Sequence, residues 1–211
     1  ALLAALILIV PLFKFSQQNL WIRVVGYAGL YIILGLGLLI HVGFAGMFDL
    51  GFAAFYAIGA YTCALLASPR FNIHLPFLLV LLIAGALASL AGILICIPVL
   101  KLRGDYLGIV TLGFGEIVRM LLLNLKNITN GSQGIIQIDK PVILGLDFNN
   151  SIYFYYFIFA LVALLLFIFN RVINSRTGRA WLAMREDEDV AQMAGIDTSK
   201  YKLLAFALGA F

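Results

Sequence analysis

Four ionisable side chains, His41, Asp49, Glu116 and Arg119, stand inside long apolar runs. Such groups are costly away from water, and they mark ion or substrate pathways or pair with one another. Glu116 and Arg119 are three residues apart and so share one helix face. They read either as a gate or contact along a substrate path, or as an internal ion pair that fixes helix register, with snorkelling towards an interface also open. Asp49 closes the string His-Val-Gly-Phe-Ala-Gly-Met-Phe-Asp-Leu-Gly over residues 41–51, which carries Gly43, Gly46 and Gly51. A helix interrupted there, and restarting near Gly51, would aim free amide N–H groups and a positive dipole end at an anionic substrate group. The alternative is a tight re-entrant turn with Asp49 hydrated or capping the next helix. His41 reads as a satisfied interfacial histidine rather than a ligand.

Catalytic chemistry finds no motif. The chain lacks H-E-x-x-H and G-x-S-x-G, and it has no second acid to pair with Asp49. It also lacks G-x-x-x-x-G-K-[ST], so it cannot hydrolyse ATP by itself in the P-loop manner. Cys63 and Cys96 lie in separate apolar runs and, with two histidines, form no metal-ligand cluster. They read as small packing residues. No catalytic residue, metal or resident cofactor is expected.

The elements that position these side chains follow from composition. The chain is 64% hydrophobic and 11% charged over 211 residues, with a mean hydropathy of +1.07. A soluble domain could not cover its surface with so few charges. The expected fold class is therefore all-α, a polytopic transmembrane helical bundle with a broken or re-entrant segment near 41–51, in one domain over 1–211. The net charge of +4 gathers at span ends, which suits orientation in a lipid bilayer and not a nucleic-acid partner. Both ends read as cut, so the chain is expected to be part of a longer protein.

In chain order, residues 1–13 are apolar but shorter than the roughly 20 residues of a span, and read as the tail of a first helix. Residues 14–23 read as a polar connection, with Trp21 at interface level. Residues 24–67 stay apolar; as one helix they would run about 66 Å, twice the hydrocarbon thickness, so the chain must break. Ala53, Ala57, Ala60 and Ala64 predict a small-residue packing face, as do Ala84, Ala88 and Gly92 in the next span over 76–99. Lys101 and Arg103 mark a basic turn before a span over 105–125. A polar loop over 126–150 follows, with turn chemistry at Asn130-Gly131. Sequon-like triplets at Asn127, Asn130 and Asn149 arise easily in such loops and carry no weight. A span over 151–170 begins with an aromatic belt.

One long polar segment remains. Residues 171–202 hold Arg171, Arg176, Arg179, Arg185, Lys200 and Lys202 together with Glu186, Asp187, Glu188, Asp189 and Asp197. Residues 178–184 read as helix, and Asp187 caps a second short helix over 190–194 that Gly195 closes. Thr198 or Ser199 is expected to cap a last apolar helix. The dense Lys/Arg content places this segment in the cytoplasm, and alternation puts Lys101 and Arg103 on the same side. Lys14 and Arg23 then fall outside, a mild violation of the rule.

At residues 103–119, R-G-D-Y-L-G-I-V-T-L-G-F-G-E-I-V-R, the chain closely resembles a family: the permeases of bacterial ABC importers for branched-chain amino acids, M-type subunit of the Liv system. Three further stretches agree, in order. G-F-A-A-F-Y-A-I-G-A-Y-T-C-A-L at 51–65 looks like an early helix motif, T-N-G-S-Q-G-I at 129–135 is similar to a T-G-G-x-x-G-I loop, and residues 178–206 are similar to the cytoplasmic coupling segment. The resemblance covers about residues 25–211. One departure stands out. The family reads S-L-G-H or S-L-G-Q where this chain has Asp49-Leu50-Gly51-Phe52.

The resemblance implies a multi-pass protein of the bacterial inner membrane that moves branched-chain, hydrophobic amino acids. Its implied partners are a second permease subunit, two cytoplasmic ABC ATPase subunits that use the ATP, and an external substrate-binding protein. Gly178, Arg179, Met184, Arg185, Glu186, Asp187, Glu188 and Gly195 would form the ATPase-coupling segment. Gly43, Gly46, Asp49, Gly51, Phe52, Glu116 and Arg119 would lie along the substrate path. Two alternatives stay open: a permease for urea or short amides, and a self-contained ion-coupled transporter or channel.

Overall fold

In the computed structural model, residues 18–68, 75–100, 102, 104–135, 142–143, 146–147 and 151–211 are described. The expected helix tail over 1–13, with Lys14, Arg70, Lys101 and Arg103, lies outside them. Helix α1, Gln18–Leu38, starts earlier than expected and absorbs part of the connection over 14–23. It passes into a π-helical turn, Leu39–Phe44, in which Ala45 N–H donates back five residues to Ile40 O at 3.0 Å. The chain then runs non-helically to Gly51, so the predicted break is real.

Helix α2, Phe52–Leu66, is about 22 Å long, less than the hydrocarbon thickness. The irregular segment before it makes up the difference. Helices α3, Phe77–Val99, and α4, Asp105–Asn124, follow. The loop expected over 126–150 contains a short helix α5, Lys126–Thr129, a 3-10 turn, Gly131–Gln133, and a two-residue antiparallel ladder. In that ladder β1, Val142–Ile143, pairs with β2, Leu146–Asp147, in the register Val142↔Asp147. Helix α6 spans Ser151–Ile173. Among the described residues four helical stretches are long and apolar enough to cross a membrane: Leu20–Phe44, Phe77–Val99, Tyr106–Asn124 and Ile152–Ile173. The fold is a polytopic helical membrane bundle.

The polar segment is ordered helix. Helix α7, Arg176–Glu186, is capped by Ser175, whose Oγ accepts Thr177 N–H at 3.2 Å. Asp187 caps α8, Glu188–Met193, as its position predicts, accepting from Asp189 N at 2.9 Å and Val190 N at 3.0 Å. The last helix, α9, Thr198–Ala210, is capped by Asp197 and not by Thr198 or Ser199. Its Oδ1 accepts Lys200 N–H at 3.2 Å and Oδ2 pairs with the Lys200 ammonium at 2.9 Å. One carboxylate thus meets both donors of Lys200, the second through a charge-assisted contact that a hydroxyl would make only weakly. Hydrogen bonding from Lys200 holds the Asp197 carboxyl below the usual carboxylate range.

Helix α9 packs on α3 across the predicted small-residue seam: Ala84, Ala88 and Gly92 are all buried, and a Cβ at Gly92 would fall 2.7 Å from Phe206 O. The other predicted seam turns differently. Ala53 and Ala60 are exposed and Ala57 is half-buried; of the four only Ala64 is buried, and α2 presses Ala54 and Phe55 inward beside it. Cys96 is buried as expected, while Cys63 is only half-buried.

The core sits at one end of the bundle. It gathers Met47 from the break, Phe55 from α2, Val99 from α3, Leu107 from α4, Trp181 from α7 and Phe206 from α9. Trp181 is 1% exposed and its Nε1–H donates to Tyr201 O at 2.9 Å. A helix of the polar segment thus inserts its largest side chain among the spans, making the two one packed body. Trp181→Ala is expected to cost about 3–5 kcal/mol, read as a lower unfolding midpoint in detergent. Trp181→Phe should recover most of that loss, and an unchanged midpoint in the alanine variant would deny the anchoring role.

Candidate functional site

The polar chemistry converges on the break. His41 is 0% exposed, so the interfacial position expected for it is corrected: the ring lies in the interior. It packs against Phe206, Phe52 and Phe55, with ring centroids at 4.7, 5.6 and 6.2 Å. Its Nε2–H donates to Ala205 O at 3.1 Å, and its Nδ1 lies 2.7 Å from Asp49 Oδ2. A carbonyl only accepts, so Nε2 carries a hydrogen, and one more is shared between Nδ1 and Oδ2.

Asp49 is buried, not hydrated. Its Oδ1 accepts Gly51 N–H at 2.9 Å, just ahead of α2. The next amide back, Leu50 N–H, donates to Thr111 Oγ1 at 3.0 Å, and that hydroxyl donates to Gly108 O at 3.1 Å. Gly51 lies so close to Thr111 that a Cβ there would overlap its backbone carbonyl. Phe52, the other departure from the family pattern, packs edge-on to His41. Both departures therefore touch one histidine.

The polar segment reaches the same place. Arg185 Nη1–H donates to Gly43 O at 2.8 Å, and Nη2 pairs with Glu186 Oε1 at 3.2 Å. A Cβ at Gly46, whose φ is +68°, would meet the Arg185 side-chain stem at 2.7 Å. Residues expected on the substrate path, Gly43 and Gly46, are thus joined to one expected in the coupling segment.

The remaining coupling residues divide by direction. Gly178 sits against the Ile173 carbonyl at the turn between α6 and α7, and Met184 is buried. Glu188 Oε1 takes an ion pair from Lys202 at 2.6 Å, and Lys202 Nζ also donates to Leu100 O at 3.2 Å. Gly195, with φ +86°, closes α8. Arg179 and Glu186 stay exposed; Arg179 donates to Asn174 O at 3.4 Å. Two residues that sequence reasoning missed are the exposed large apolar ones of the α7–α8 pair: Val190 is 60% and Met193 87% exposed. Their signal was readable, apolar side chains three apart on a helix otherwise acidic and polar. Thr111 and Lys202 gave no such signal, since nothing local distinguishes them.

Glu116 and Arg119 form the expected pair, at 2.6 Å, on a face of α4 that this chain leaves open. They stand apart from the break.

Asp49→Ala removes the partner of His41 Nδ1 and of Gly51 N–H, and should destabilise by about 2–5 kcal/mol. Combined with His41→Phe, the loss should fall short of the sum of the single losses by about 1–3 kcal/mol. Chemical unfolding in detergent reads both; strict additivity would deny the pair.

Comparison with known proteins agrees with this geometry. The family described as "Branched-chain amino acid transport system / permease component" matches residues 20–211. The high-affinity branched-chain amino acid transport system permease protein LivM of Escherichia coli (strain K12) is 42% identical over 231 aligned residues, covering 99% of this chain and 54% of that protein. The protein of the same name from Salmonella typhimurium is equally similar, with the same coverage. A probable branched-chain amino acid transport permease protein LivM of Methanocaldococcus jannaschii is 29% identical over 154 residues, 73% of this chain and 44% of that one. No solved structure matches. The chain spans about half the length of the curated relatives with full coverage of it. A multi-pass bundle with a broken segment and a capped polar helix pair, matched by its family from residue 20 to residue 211, belongs to the permease components of branched-chain amino acid transport systems.

Proposed function

We propose that this chain forms the membrane body of a permease subunit that carries branched-chain, hydrophobic amino acids across a bacterial inner membrane. Two cytoplasmic ABC ATPase subunits supply the energy, a second permease subunit completes the path, and an external binding protein delivers substrate. The names of the relatives support the substrate class. The observation that carries the mechanism is the α7–α8 pair: capped at both helix starts, anchored by Trp181, and presenting Val190 and Met193 to the outside.

Two exposed apolar side chains amid Glu186, Asp189 and Arg179 fit a groove on a partner protein, with charges around an apolar centre. ATP-driven closure of the partners would displace this pair and rock the spans between outward and inward states. The open Glu116–Arg119 pair supports the second permease: an ion pair midway along a span is poorly tolerated against lipid and calls for a polar neighbour or a wet path. The chain itself needs no nucleotide site.

The test is recovery of the complex from native membrane, followed by uptake of labelled leucine into vesicles. Val190→Asp with Met193→Asp should strip the ATPase subunits from the purified permease while leaving its unfolding midpoint within about 0.5 kcal/mol of wild type, as surface changes do. Met193→Cys should react with a membrane-impermeant thiol reagent from the cytoplasmic side alone, and labelling from outside would sink the assignment.

A further inference from the structure

We propose that Arg185 is a positioning residue of the transport cycle: it fastens the 39–51 break to α7, so that displacement of the α7–α8 pair is delivered to the amino end of α2. The inference rests on the functional reading above and deepens it. Its ground is a bond between segments 142 residues apart, Arg185 Nη1–H to Gly43 O at 2.8 Å.

Three features make this contact a joint. Gly43 lies in the last turn before the helix ends, where carbonyls have no N–H above them and a cation is favoured. Arg185 also stands in the last turn of α7, so its guanidinium links the end of that helix to the end of the helix before the break. Gly46, in the left-handed region, lets the backbone press on the arginine stem: a Cβ there would lie 3.1 Å from both Arg185 Cα and Cβ. The segment is therefore gripped by packing as well as by hydrogen bonding.

What is gripped connects onward. Two residues before Gly43, His41 is tied to Ala205 O of α9 and to Asp49; Asp49 holds Gly51 N–H, and Leu50 N–H is held by Thr111 of α4. Moving residues 43–46 moves the strut that sets where α2 begins. On the other side, α7 is held by Trp181 and cannot slide freely beneath the break. Arg185 Nη1 therefore turns towards the break although its side chain is 44% exposed, while Val190 and Met193 point outward.

The experiment uses the whole transporter in proteoliposomes, reading leucine uptake and ATP hydrolysis in the same vesicles for wild type, Arg185→Met and Arg185→Lys. Arg185→Met should keep its ATPase subunits and its hydrolysis, while uptake per ATP falls about tenfold, the change that loss of one charge-assisted hydrogen bond corresponds to. Arg185→Lys should recover part of the ratio through a single donor. An unchanged ratio overturns the proposal; so does loss of the ATPase subunits or of hydrolysis, which would assign Arg185 to the docking surface. Absence of ATP-driven uptake in wild type would be a failure of the functional reading, visible before any variant is made.

Discussion

A helix interrupted inside a packed bundle leaves backbone N–H and C=O groups that need new partners. That constraint governs this protein. The π turn returns Ala45 N–H to Ile40 O, and Met47 N–H reaches His41 O at 2.9 Å. Side chains supply the rest: Asp49 for Gly51, Thr111 for Leu50, Arg185 for Gly43. Each donor or acceptor comes from a different element, so satisfying the break draws α4, α7 and α9 together around it. Among the described residues no buried side-chain nitrogen or oxygen lacks a partner. Removing Asp49 would leave the buried His41 ring and Gly51 N–H uncompensated, which is costlier than the bond itself is stabilising.

The same arrangement explains why the polar helices belong to the fold. Trp181 enters the core from one side of α7, and Arg185 reaches the break from its last turn. Lys202, nearly buried, ties Glu188 at the start of α8 to the carbonyl of Leu100 at the end of α3. These three side chains hold the segment against the spans through unlike physics: apolar burial, a charge-assisted hydrogen bond to a helix end, and an ion pair with little water near it. Among the segment's charges Lys202 and Glu188 turn inward, and Val190 and Met193 are its apolar outward points.

Much of this was legible along the chain. The break over 41–51 follows from too many apolar residues for one span together with clustered glycines, both local properties. The Asp187 cap and the Gly195 stop follow from short-range chemistry, and the Ala84–Ala88–Gly92 seam from helical spacing. The misreadings share a cause. Ala53 to Ala64 shows the same spacing, yet which face of α2 turns inward depends on where α4 crosses, at Gly51 and Thr111. Asp197 displaced Thr198 as the cap because Lys200 gave its carboxylate a second partner.

The sequence by itself determined which stretches are apolar or polar, where the long apolar run must break, the Asp187 cap and Gly195 stop, and the family. These rest on composition and on neighbours within a few residues. Only the tertiary structure decided what the charged and polar side chains do. Arg185 and Gly43, His41 and Ala205, Lys202 and Leu100 are pairs separated by more than a hundred residues. One member of each is a backbone carbonyl, which every residue carries alike, so no pattern of side chains along the chain can point to it.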